Sequence, residues 1–490
     1  MNAHSLALLK QAVVKNRPVL GQILEKDGQK PLVKYASSYA DTAYDVSREK
    51  KQQLISAVVG RVFELFGSEK AESIGRQLEK SYFASTADHH GPLVHPFFLG
   101  SNLLAAATND SFGLENVLVL ACGNVSLGNS SYPRGLLMHG SAKAWYRLPL
   151  VPSVWRQSAV FRHPAFTKSD LLRLEQKLAN DRQSALLQES GFAGVLGLLR
   201  ELYGNSAVLG QNYYSDQISL TNYHLWRKFF PPRQPRVPDL IYLQMEDIVI
   251  RLLLDYHLSA STEISSLFFD SKTRTAVERY FSGIPGAFTA DKRTGTFLFW
   301  LLPPGGRHRL QLWSQGDALV AADGSYKVAL NSQSLTAALK RGELIPNTML
   351  SLLVLSAYHG LKCLGGFSQV QYLTSLHQAY AKLFGSPLPS AHGQGLCADF
   401  MAAFVHGNDA LMPATGLDLA LGRNEDAWEN FKLTVAGLTL EESLLPMFPE
   451  FYKMLYPHDR QDSTLAGITP EEVMDFLNVK PKIFSLGDLI

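Results

Sequence analysis

The chain has 490 residues, 46% of them hydrophobic, 10% aromatic and 18% charged, so it can bury a large core and is too aromatic to be disordered. Its 46 Lys and Arg against 44 Asp and Glu leave a net charge of +2, without the basic excess of a dedicated nucleic-acid binder. The longest apolar run, Thr348 to Ala357, is about half of a ~20-residue membrane span.

These properties predict a soluble cytoplasmic protein with a small-molecule substrate and neither nucleic acid nor membrane as partner; a homo-oligomer stays open. The amino-terminal apolar run is interrupted by Lys10, unlike a signal segment. Cys122, Cys363 and Cys397 are sparse and widely spaced, in keeping with a reducing compartment and without a zinc pattern. The length suggests roughly two to four domains or one elaborated one.

In chain order, residues 1–80 read as helical, with Leu54, Val58, Val62 and Leu65 at helical spacing. Residues 81–86 read as a buried strand, 97–108 as a helix and 116–121 as a second buried strand, which together make a βαβ unit. Residues 167–205 read as a helical pair. A further strand, helix and strand are expected at 239–243, 246–257 and 266–269. Residues 296–330 read as two hairpins, the second turning at Asp323-Gly324. Helices are expected near 332–341, 347–358 and 368–384. A helical tail follows from about 395, with Pro387-Leu388-Pro389 as its boundary. The expected architecture is therefore α/β: a Rossmann-like parallel-sheet core over 81–390 carrying a small antiparallel insert, between helical regions at 1–80 and 391–490.

The densest chemistry lies in Ser85-Thr86-Ala87-Asp88-His89-His90-Gly91-Pro92-Leu93-Val94-His95-Pro96, which holds three of the fourteen histidines. Placed after a strand and before a helix, this loop belongs at the carboxyl end of the sheet, where ligands bind. The helix amino terminus favours an anion there. Asp88, His89, His90 and His95 are the candidate catalytic residues, with ordinary capping and loop packing as the bland alternative. Metal ligation by the same residues is the less favoured reading, because adjacent histidines point to different sides; a nucleotide cofactor stays open.

A second loop, 122–135, is rich in Asn, Ser and Gly. Asn124 and Arg134 are candidates to orient an anionic substrate, and His139 follows closely. Cys122, at the strand end, reads more readily as a small buried hydrophobe than as a nucleophile. Glu246 and Asp247 read as acidic residues placed at a helix start. A Gly365-Gly366 turn before a helix allows close backbone approach to a ligand, and Tyr372 lies on that helix.

Gly91-Pro92-Leu93 resembles the early loop of the cysteine-adding ligases of bacillithiol biosynthesis. The stretch from Leu344-Ile345-Pro346-Asn347 through Gly365-Gly366 and Tyr372 to Pro387-Leu388-Pro389 resembles the order of that family's later part. The likeness covers about a quarter of the chain in two patches. It implies a Rossmann-like, nucleotidyltransferase-related core and a pocket at these loops. Where the family has a Gln- and Gly-rich loop this chain has Asp88-His89-His90, so the substrate is not carried over. The expectation is a ligase- or transferase-like biosynthetic enzyme acting on a small polar anion. The alternatives are a metal-dependent enzyme at the same loop and a non-enzymatic binding protein.

Overall fold

The computed structural model describes all residues except 41–45, 141–144, 184–188, 231–236, 307, 386–403, 408–409, 423–426, 479–483 and 486–490. The expected boundary at Pro387-Leu388-Pro389, the start of the tail and Cys397 lie outside the described residues.

The second expected strand is β2 (Asn116–Ala121), and all six of its residues are buried. Val117, Val119 and Ala121 enter one hydrophobic core while Leu118 and Leu120 enter another. A strand apolar on both faces belongs inside a parallel sheet covered by helices on both sides. β2 pairs in parallel with β1 (Phe83–Ser85) and β3 (Asp239–Gln244), and β4 (Lys362–Leu364) adds to the outer edge of β1. The order is β4-β1-β2-β3. From β1 the chain steps to one side through β2 and β3, then returns to the other side as β4.

On one face lie α1 (Arg48–Phe66), α2 (Ser68–Lys80) and α5 (Met245–Leu252). The other face carries α3 (Pro96–Ser111) and α4 (Tyr214–Lys228). At the β4 edge, α6 (Phe367–Phe384) sends Phe367 and Val370 into one core and Leu373 and Leu376 into the other. The described residues among the first 80 are mostly helical but divide between the faces. Helices at Ala3–Asn16 and Pro18–Asp27 share the α3/α4 core with Trp428, Phe448 and Phe451 from the far end of the chain. Backbone hydrogen bonds tie them together, Leu32 N–H to the Leu438 carbonyl (2.8 Å) and Leu440 N–H to that of Lys30 (2.9 Å).

Three expectations need correction. Residues 266–269 are not a strand: Glu263–Phe269 is a helix opened by a Thr262/Ser265 capping box, with Ile264, Leu267 and Phe268 buried at helical spacing. A short apolar run does not distinguish a buried helix turn from a strand. The carboxyl-terminal region is not wholly helical, for Phe404–Gly407 pairs with Ala410–Pro413 and Phe484–Ser485. The antiparallel insert also reaches past residue 330, because Leu344–Pro346 forms the fifth strand of its sheet beside Phe299–Leu301.

Candidate functional site

The loops after β1 and β2 are fused at their roots. Cys122 N–H donates to the Asp88 carbonyl and His90 N–H to the Cys122 carbonyl, each 2.8 Å, which carries the pairing past the strand ends. Gly91 is then pressed on Pro133, whose Cα would lie 2.6 Å from any added Cβ. Asn222 of α4 clamps the turn: its Oδ1 accepts from Leu93 N–H (2.8 Å) and its Nδ2 donates to the Gly91 carbonyl (3.0 Å).

In an extended segment successive side chains alternate sides, and the His-rich loop divides accordingly. Asp88 and His90 turn inward and are fully buried. The Asp88 carboxylate accepts from Asn102 Nδ2 of α3 (3.0 Å) and lies against the Tyr242 hydroxyl. Burial lifts its pKa to about 7, despite the Asn102 and Tyr242 hydrogen bonds. His90 Nε2 donates to the Ser215 carbonyl (2.9 Å), and its ring lies 5.1 Å from that of Tyr242. Burial lowers its pKa to about 4, so it is neutral at pH 7.

His89 turns outward, with Nδ1 3.0 Å from Ser131 Oγ. His95 caps α3 by accepting from Phe97 N–H (3.4 Å) and packs on Phe97 and Phe98; burial, then the charges of His89 and Arg147, bring its pKa to about 4. The four candidates therefore form two separate pairs, with His89 and His95 on one side and Asp88 and His90 on the other. Among the described residues no group of three or more His, Cys, Asp or Glu is placed to share a metal ion.

The remaining expected residues scatter. Asn124 lies at the root of the second loop, its Nδ2 donating to the Pro346 carbonyl (3.2 Å). Arg134 donates to the Val151 carbonyl (3.3 Å) and covers the Tyr132 ring, which Arg147 also covers. His139 pairs with Asp418 (2.7 Å) and stacks on Trp145, binding the hairpin of Gly135–His139 and Trp145–Pro149 to the helix Gly416–Leu421. Gly365 makes room for the Gln369 side chain, whose Nε2 donates to Thr86 Oγ1, so the Gly-Gly turn abuts the start of the His-rich loop. Tyr372 lies beside Gly286, at the rim of the other core.

Glu246 organises the face opposite Asp88. It is fully buried in the first turn of α5, and its carboxylate accepts from Gly123 N–H (2.8 Å), Asn124 N–H (2.9 Å) and the Cys122 thiol (3.5 Å). Burial raises its pKa to about 7, and the backbone donors only partly offset this. Burial, then Glu246, holds the Cys122 thiol well above its ordinary value. Arg309, from the antiparallel sheet, donates to Asn124 Oδ1 (2.7 Å) and to the Asn124 carbonyl. A Cβ at Gly123 would fall 1.8 Å from Gln244 Nε2, so a larger residue there must push the Gln244 side chain aside. Nearby, Arg61 of α1 binds Asp216 and Asp247, which stand in the first turns of α4 and α5.

No protein-family model matches this chain, and no curated protein matches it either.

The sequence signals for this face were Cys122-Gly123 directly after a buried strand and Glu246-Asp247 directly after another. Both are ordinary alone, and only the β2–β3 register brings them together. Arg309, Arg61 and Asp216 carried no local signal, since each arrives from an element remote in sequence. Among the described residues no helix is long and apolar enough to cross a membrane.

Proposed function

We propose that this chain is a cytoplasmic enzyme of the ligase or transferase kind, joining an amino acid or a thiol to a small polar anionic metabolite. The carboxyl ends of the parallel strands, on a Rossmann-like core, are its active site. The supporting observation is Glu246: a fully buried carboxyl with a pKa near 7, hydrogen-bonded to a thiol and two backbone amides. Such a group gives or takes a proton at neutral pH, which is what condensing an amine or thiol with an activated acid requires.

In this reading Glu246 is the general acid–base, and Asp88, raised to about 7 on the other face, is its counterpart beside the histidine loop. Arg309 and Asn124 hold the anionic end of the substrate. The likeness of the two sequence patches to cysteine-adding ligases agrees with the reaction class.

The test has two stages. The full-length protein is screened by thermal shift against amino acids, thiols and sugar phosphates, because a ligand specific to the native state raises the unfolding midpoint. Pairs of ligands that do so are then incubated with the protein and ATP, and condensed products are sought by mass spectrometry. A condensed product that Glu246→Gln abolishes supports the reading. If no ligand raises the midpoint, or the Gln variant forms product at the wild-type rate, the reading fails.

A further inference from the structure

Outside the Glu246 face, a cavity of about 680 Å³ opens between the 155–164 loop, the Leu302–Gly306 turn and the Arg341–Glu343 turn. Its volume is that of a small-molecule site, and such sites are mostly apolar with few polar groups. Trp155, Tyr213 and Pro303 supply flat apolar surface over the buried Phe161. Two of the charged groups cancel, since Arg341 is ion-paired to Glu343, which also accepts from the Tyr326 hydroxyl (2.8 Å).

Arg162 is different. It is half-buried, it lines the cavity, and among the described residues it makes no hydrogen bond and no ion pair. Its guanidinium lies 5.7 Å from the centres of both the Phe161 and Tyr213 rings. Its positive charge favours the ionised Asp247 carboxylate, while none of its five N–H donors is taken up by a described group. The backbone carries a cost to hold them there, for Arg162 has φ 50, in the left-handed region that non-glycine residues rarely occupy. Residue 342 is glycine with φ 75, and a Cβ there would fall 1.9 Å from Arg162 Nη1. Such strain persists only where the surroundings fix it, and here it sets the guanidinium at a cavity wall.

We propose that this cavity binds a planar aromatic anion: a flat ring packed against Trp155 and Tyr213, with one carboxylate or phosphate taken by the Arg162 guanidinium. Arginine's planar fork fits both anions in a two-point contact, and the aromatic walls fit the ring. The inference does not rest on the acid–base reading of Glu246.

The test is isothermal titration calorimetry on the full chain with indole-3-acetate, indoxyl phosphate and the neutral indole-3-ethanol. At least one anion is expected to bind with Kd below about 1 mM, and the alcohol about tenfold or more weakly. Which anion binds separates carboxylate from phosphate recognition. Arg162→Gln should reduce anion binding to the level of the alcohol. Arg162→Gly serves as the second variant, because glycine accepts φ 50 without strain and keeps the fold while removing the fork. The proposal is overturned if neither anion binds, if the alcohol binds as tightly, or if the anions bind both variants as they bind the wild type.

Discussion

Glu246→Gln is the sharpest perturbation, because it keeps the shape of the side chain while removing its titration. The wild-type carboxyl moves from an ordinary value of 4.5 to about 7 in the fold. The folded state therefore holds the proton longer than the unfolded one, and stability falls as pH rises from about 4.5 through about 7, then levels off. At 1.36 kcal/mol per unit, the cost of the burial is about 1 kcal/mol at pH 5 and about 3 kcal/mol at pH 8. The glutamine escapes this cost but turns an N–H₂ toward a backbone donor, Gly123 or Asn124, at a fixed cost of about 1–3 kcal/mol. Relative to wild type, the variant should thus gain about 2–3 kcal/mol between pH 5 and pH 8. Urea unfolding of both proteins at the two pH values gives the offset, and effects of other titrating groups cancel in it. An offset equal at pH 5 and pH 8 would refute the buried-acid account.

Four further outcomes follow. His257 and His359 form a relay in which His359 Nδ1–H donates to the Lys50 carbonyl (2.8 Å), leaving its Nε2 to accept from His257 Nε2–H (3.2 Å). Burial lowers their pKa values to about 3 and about 4, so both are neutral in the fold, and stability is lost as pH falls below the unfolded value near 6.5. His257→Phe should cost about 1–2 kcal/mol at pH 7 and show a shallower loss between pH 6.5 and pH 4.5; an unchanged slope on pH titration of the unfolding midpoint counts against the relay. Gly123→Ala should destabilise by about 1–3 kcal/mol through overlap with Gln244, and an unchanged midpoint would mean that the loop yields freely. Asp418→Ala strips the partner of His139 and the capping box of its helix, at about 2–4 kcal/mol, while leaving ligand affinity per folded molecule intact; lost affinity at full folding would return His139 to the substrate site. His90→Ala removes a fully buried ring and one of the two side-chain donors to the Ser215 carbonyl, which keeps Ser219 Oγ (3.1 Å), so a loss of about 1–3 kcal/mol is expected in urea unfolding, and a stability equal to wild type would contradict the inward placement.

The sequence by itself determined the parts whose cause is local. β2 was legible because its five consecutive apolar residues after Asn116 must be buried on both faces, and the His-rich segment was legible as a loop because Gly91-Pro92 excludes regular structure there and Pro96 opens α3. The second hairpin was legible from Asp323-Gly324 between two apolar runs. Residues 266–269 were not, since four apolar residues satisfy either period and the decision fell to the Thr262/Ser265 cap.

Tertiary structure alone decided which charged groups meet. Strand alternation after β1 parted Asp88 and His90 from His89, although the four histidine-loop candidates are neighbours in sequence. The parallel register of β2 with β3 set Glu246 against Gly123, and the antiparallel sheet then brought in Arg309, 185 residues away in sequence from Asn124. Local propensity acts within a few residues, whereas the pKa of a buried carboxyl depends on everything packed around it. For that reason the sequence indicated which end of the sheet to inspect, and only the packed chain made Glu246 and Asp88 its unusual acids.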